Sequence, residues 1–174
     1  MFQLNIRNER IAIRDILPGQ LPCILQWYNR VEDFKFATGI EAPITLNTLD
    51  GKFAESAASD RDFLTGIHVI GEDRLIGLIK GRIQGKTRDS VWINSIVIDP
   101  EFQKRGYGSS AIKLLMCYLK LYSHISRVFL AVALENRGGR IFWEKNGFRE
   151  MRRMRSGMRL NGRRQEVIIM CREI

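Results

Sequence analysis

The sequence has no apolar run approaching the roughly 18 to 20 residues that a membrane-spanning helix needs. Its start, Met1-Phe2-Gln3-Leu4-Asn5-Ile6-Arg7, lacks the basic-then-apolar layout of a signal peptide. A cytoplasmic location is therefore expected. Cysteine is scarce: Cys23, Cys117 and Cys171 are odd in number, far apart and without metal-ligand spacing. That excludes a disulfide framework, and the three read as small buried hydrophobes in a reducing compartment. The two histidines, His68 and His124, belong to no motif and read as structural or surface residues, so no metal site is expected. No Gly-Lys-Ser/Thr loop is present, which excludes a nucleotide P-loop, and no three-glycine dinucleotide fingerprint occurs. Internal repeats and low-complexity segments are also missing.

What remains is an ordinary globular composition, 45% hydrophobic and 27% charged over 174 residues. That length suits one domain, residues 1–174, with a substantial core. The formal charge of +9 is unevenly placed. Between Glu32 and Asp62 seven acids face three bases; between Arg149 and Ile174 eight arginines face three glutamates. No stacking aromatics accompany those arginines, so nucleic acid is not expected as a partner and the segment reads as a solvated basic hairpin.

The most informative stretch is Ile96-Val97-Ile98-Asp99-Pro100-Glu101-Phe102-Gln103-Lys104-Arg105-Gly106-Tyr107-Gly108-Ser109. A strand-like apolar segment ends at Asp-Pro and enters a short basic loop with two glycines. Ile112, Leu115, Met116 and Leu119 then follow at i, i+3, i+4, i+7, the spacing of one helical face, to about Tyr122. The start of that helix offers unpaired amides and the positive end of its dipole. Gly106 and Gly108 let a ligand approach those amides, and Lys104 and Arg105 add charge. Such a strand, basic loop and helix N-terminus form a phosphate cradle.

Gln103-Lys-Arg-Gly106-Tyr-Gly108 resembles the Q/R-x-x-G-x-G/A signature of the GNAT superfamily of acetyl-CoA-dependent N-acetyltransferases. A second segment, Asn136 followed by Phe142-Trp143-Glu144-Lys145-Asn146-Gly147-Phe148, is similar to that family's N-x-x-A…Y-E-K-x-G-F. The resemblance covers roughly residues 10 to 172 and is sharpest over 91 to 148. It implies a mixed α+β fold with a central, mostly antiparallel sheet of six to seven strands. One parallel pair, strands 4 and 5, splays apart, and about four helices flank the sheet.

In chain order, the first fifteen residues alternate as one or two strands. Leu21, Ile24, Leu25 and Tyr28 share a helical face, and Asn29 to Thr45 reads as a long loop. A helix follows with an early cap near Thr45, then a hairpin through Glu72-Asp73. A turn at Gly85-Lys-Thr leads into a strand from Ser90 to Ile98. Beyond the cradle helix come a buried strand at Arg127–Val132, a helix from Arg137 to Asn146, and two strands, near 148–156 and 165–172, joined around Asn161-Gly162.

The resemblance implies acetyl-CoA as cosubstrate and an amine acceptor, either a small molecule or a peptide, and it allows a homodimer. It assigns coenzyme A contacts to Ile96, Val97, Ile98, Gln103, Lys104, Arg105, Gly106, Tyr107, Gly108, Ser109, Asn136 and Trp143. The backbone of 96–98 would pair with the pantetheine arm, a β-bulge near Val97 would aim its amide at the thioester carbonyl, and Asn136 would bond the pantetheine amides or cap its helix. Trp143 stands where the family often has a tyrosine acid, and an indole cannot supply a proton; Tyr107, Tyr118 or a water could substitute. The central strand holds no carboxylate or histidine, only Asn94 and Ser95, which could order a proton-relaying water. Glu32 and Asp33 are candidates for amine contact. The alternative reading is an acyl-CoA-binding sensor without turnover.

Overall fold

The computed structural model describes residues 4–85, 89–122, 124–160 and 163–174. Eight strands form one sheet: β1 (Ile6–Arg7), β2 (Ile11–Asp15), β3 (Asp62–Val69), β4 (Leu75–Gln84), β5 (Ser90–Ile98), β6 (Arg127–Ala133), β7 (Arg149–Leu160) and β8 (Arg163–Glu173). Their order is β1-β2-β3-β4-β5-β6-β8-β7. Every pairing is antiparallel except β5 with β6, which is parallel. The mixed α+β sheet with one parallel pair is the architecture expected from the sequence. It has eight strands because residues 6–15 divide into two, which makes the parallel pair β5 and β6. The expected turns at Lys86-Thr87 and Asn161-Gly162 lie outside the described residues.

Among the described residues, five α-helices cover the sheet: α1 (Leu21–Asn29), α2 (Val31–Thr38), α3 (Leu46–Ala58), α4 (Tyr107–Tyr122) and α5 (Arg137–Lys145). Two apolar clusters separate them. Ile112, Leu115, Met116 and Leu119 of α4 pack with Trp143 of α5 against inward residues such as Ile79, Val91 and Ile93. Burying each such side chain stabilises the fold by about 1.5–3 kcal/mol. Ile24 and Trp27 of α1, Phe34 of α2 and Leu49 of α3 form the second cluster with Leu64, Leu78 and Val97.

Residues 29–45, read from sequence as a loop, contain α2. Glu32 and Asp33 sit in its first turn, where the helix dipole favours acids, and Gly39 closes it at φ 67. Only Phe34 of this helix is buried, so it carries little apolar periodicity. The cap before α3 is as expected: the Thr45 side chain accepts from the Thr48 amide. The cysteines differ from expectation. Cys117 is exposed, and Cys23 and Cys171 are only partly covered. Burial pushes the thiols of Cys23 and Cys171 up, which keeps them protonated and unreactive. No helix among the described residues is long and apolar enough to cross a membrane.

His68 is 1% exposed, and its Nε2 lies 3.1 Å from Gln20 Nε2. Burial, with the charge of Arg14, holds its pKa below the ordinary imidazole value. In the unfolded chain the same ring takes up a proton near pH 6.5. The stability that depends on neutral His68 is therefore complete above that pH and is lost as pH falls below it. The melting temperature should drop between pH 7 and pH 5, and less steeply in His68→Asn; parallel profiles would remove His68 as the cause.

Candidate active site

The strand that builds the site contains an irregularity. Lys80 pairs with Ser95 but Gly81 pairs with Ile93, so Asn94 is the extra residue of a β-bulge. At the same point β5 and β6 part: their parallel register runs only from Ser90↔Arg127 to Ile93↔Leu130. Beyond the bulge, β5 has no strand beside it on the β6 side among the described residues. The bulge therefore lies at Asn94, not near Val97. The Asp99 amide donates to Ile76 O at 2.8 Å, and Val97 stands two residues earlier, opposite Leu78. By the two-residue alternation of a ladder, the Val97 amide also faces β4, and those of Ile96 and Ile98 face the gap. The Val97 side chain is 1% exposed in the α1–α3 cluster.

The gap is a cleft of about 760 Å³. At one end, the Asp99 side chain accepts from the Glu101 amide and caps a one-turn helix at Pro100–Phe102. The chain then passes through Lys104 at φ 59 and Gly106 at φ 83, a conformation glycine adopts without cost. Gln103 Nε2 donates to Ile98 O at 2.9 Å and ties the loop to the strand. The first amide with a helical acceptor is that of Ser110, bonded to Gly106 O at 2.9 Å. Among the described residues, the amides of Lys104 to Ser109 have no protein acceptor. They sit at the positive end of a 16-residue helix. At Gly108 an added Cβ would come within 3.2 Å of Phe142, so a side chain there would crowd the cleft wall. Bare amides, a helix N-terminus and the cationic Lys104 and Lys145, all lining the cleft, fit a diphosphate.

Most of the residues assigned to the cofactor from sequence line this cleft: Ile96, Ile98, Gln103, Lys104, Gly106, Tyr107, Gly108, Ser109, Asn136 and Trp143. Val97 and Arg105 do not. The Arg105 guanidinium lies 5.5 Å over the Phe102 ring, and its carbonyl accepts from Arg10 Nη2 at 3.1 Å. Arg10 also sits 5.0 Å over Tyr107 and so braces the loop from the β1–β2 turn; nothing in the sequence pattern marked it. Asn136 lines the cleft and caps α5, its Oδ1 accepting from the Gly139 amide at 2.9 Å. Asp33 lines the cleft mouth and pairs with Arg30 at 2.7 Å; Glu32 lies outside it and pairs with Lys35 at 2.7 Å.

Trp143 packs edge-on against Phe142 and Phe148, with centroids 4.9 and 5.1 Å away. Tyr107 stands at the cradle end, edge-on to Phe102, and Tyr118 is not part of the cleft wall. Neither tyrosine is placed at the splayed-strand end. Trp143→Tyr should retain turnover within about tenfold, since the ring fills the same wall and a hydroxyl is added; a larger loss would mean that the indole N–H is required.

A second cavity, of about 160 Å³, lies on the opposite side of the bulge. It shares Ala37, Asn94 and Ser95 with the cleft. Ser95 is 8% exposed, and its Oγ is buried without a hydrogen-bond partner. Tyr28 also lines this cavity, its phenol pushed up by burial and therefore neutral. Sequence reading placed Tyr28 on an apolar helix face and missed this role. Among the described residues, no group of three metal-ligating side chains is positioned to hold a metal ion.

Bare amides that fit a diphosphate, a gap between splayed strands and a second cavity at the bulge meet around β5. A sequence model of the acetyltransferase (GNAT) family matches residues 25–148, and the chain belongs to that family, whose cosubstrate is acetyl-CoA. No curated protein matches the sequence. Among solved structures, the spermidine N-acetyltransferase of Vibrio cholerae, in complex with CoA and spermine, is 22% identical. That match covers 95% of this chain and 96% of the other, with a TM-score of 0.82. A GNAT-family acetyltransferase from Bacillus anthracis gives 16% identity, 98% coverage of both chains and a TM-score of 0.84. The Salmonella typhimurium enzyme that modifies the N-terminal serine of ribosomal protein L7/L12 gives 15%, 96% of both chains and 0.83. At these identities the likeness is one of fold.

Proposed function

We propose that this enzyme transfers an acetyl group from acetyl-CoA to a primary amine, a small molecule or a peptide N-terminus, by direct attack in a ternary complex. The observation that carries this reading is the meeting of two cavities at Asn94 and Ser95, one lined by the loop of bare amides and the other by residues of α1, α2 and α3. The bound thioester supplies the carbonyl carbon. The amine nitrogen forms the new C–N bond, the C–S bond breaks, and the proton shed by nitrogen balances the departing thiolate.

Lys104, Lys145 and the amides of 104–109 hold the diphosphate, and Asn136 Nδ2 donates to the arm. The Ile96 amide, facing the gap, takes the role first assigned to Val97 and donates to the oxygen on which negative charge develops. Asn94 and Ser95 are the polar groups at the junction that order a water to receive the proton. A thiol of pKa near 8.5 leaves as thiolate near neutral pH, so Trp143 is compatible with turnover. Substrates named for the structural relatives, a polyamine and a protein N-terminus, are both amines, which supports the reaction class.

The test is release of free thiol from acetyl-CoA across a panel of amines, amino acids and peptides, alongside calorimetric titration with CoA. Amine-dependent thiol release supports the reading. Tight CoA binding with no release from any amine overturns it in favour of a sensor.

A further inference from the structure

The acceptor-side cavity has a chemical character that the reaction class does not dictate. Its polar walls come from Tyr28 of α1, Thr38 of α2, Lys52 of α3 and Lys80 of β4, together with Asn94 and Ser95 at the bulge. Two of these are cations and none is a carboxylate. Among the described residues, neither lysine has a carboxylate within ion-pair distance: Asp62 is taken by Arg82, whose Nη2 donates to it at 2.8 Å, Asp33 pairs with Arg30, and Glu32 pairs with Lys35. No carboxylate of the acid-rich segment 32–62 lines this cavity, although the charge of Asp62 reaches Lys80.

Lys80 lies directly across the ladder from Ser95, and Lys52 approaches from α3 on the same side of the sheet. Ser95, more than nine-tenths buried with an unpartnered Oγ, is a polar group set aside at the end nearest the cofactor cleft. Burying a hydroxyl without a partner costs free energy unless a ligand supplies one.

We propose that the acceptor is an amine carrying an anionic group, a carboxylate or a phosphate, with its nitrogen at Ser95 and its anion engaged by Lys80 and Lys52. This rests on the transferase reading above and narrows its substrate class. The physical reason is complementarity: two cations beside a small cavity repel a polycation and favour an acceptor that brings negative charge. The neutral Tyr28 phenol adds a donor for the same anion, whereas the Thr38 hydroxyl is already given to Phe34 O at 3.0 Å.

The experiment compares kcat/KM for β-alanine, γ-aminobutyrate and phosphoethanolamine with that for propylamine, putrescine and spermidine, in wild type, Lys80→Glu and Lys52→Glu. Lys52 is exposed, so its replacement leaves the fold undisturbed even if Lys80→Glu does not. The expected result is a preference of at least about tenfold for the anionic amines in wild type. Each variant should reduce that preference by about tenfold, with CoA affinity unchanged. The carboxylate and phosphate arms separate the two sources of anion. Preference for putrescine or spermidine, or variants that leave the ranking intact, overturns the inference while the transferase reading stands. Failure of every amine with CoA bound overturns both.

Discussion

Gly108→Asp is expected to lower CoA affinity by at least about a hundredfold while the protein stays folded. Gly108 lies in the first turn of α4, in the wall of the cleft and next to amides that lack a protein acceptor. An added Cβ would stand 3.2 Å from Phe142 Cε2 and 3.6 Å from Ile98 Cγ1, so the side chain would enter the space beside the cradle. It would carry a negative charge to the place where the diphosphate is proposed to sit. Like charges brought together in a binding site cost several kcal/mol, and a hundredfold corresponds to about 2.8 kcal/mol. Acid in the first turn of a helix is favourable to the helix itself, so α4 should persist. Gly108→Ala separates the two causes, since it adds the Cβ without the charge and should lose less. Calorimetry with CoA and a melting curve measure the two effects; unchanged affinity in Gly108→Asp would remove residues 104–109 from the site.

The sequence made α4 and its loop legible because two independent periodicities, apolar spacing and paired glycines, agree there. It concealed the bulge. Between Ser90 and Ile98 the apolar residues 91, 92, 93, 96, 97 and 98 fit either phase of a two-residue alternation. Only pairing with β4 shows that Asn94 is inserted, so that Ile93, Ile96 and Ile98 end up on the α4 face and Val97 on the other. That one inserted residue moved the expected carbonyl donor from Val97 to Ile96. The helix at Val31–Thr38 did leave a signal, two acids and a closing Gly39, but with Phe34 its one buried residue there was no apolar period to support it. Lys52 and Lys80 are 28 positions apart on α3 and β4. No local pattern brings them together; the register of Lys80 opposite Ser95 does.

The assignment of the Ile96 amide leads to a second large effect: Ile96→Pro should lower kcat by about 10² to 10³, the loss typical when one donor to a developing oxyanion is removed. Proline is ordinarily excluded from a central strand because it deletes a ladder bond. Here the deleted N–H is not part of the ladder. Asp99 donates to Ile76 O, and Ile96, at the odd offset from it, directs its amide to the side where β6 has already left after Leu130. Beyond the bulge, β5 is in effect an edge on that side, the setting in which a strand tolerates proline. Ser95, the residue before it, is already extended, as a residue preceding proline must be. Val97→Pro is the contrasting variant. It removes an amide that faces Leu78 and a side chain that is 1% exposed, so it should fail to fold. A folded Ile96→Pro enzyme that binds CoA and turns over within about tenfold of wild type would show that the gap-facing amide does not stabilise the reacting carbonyl.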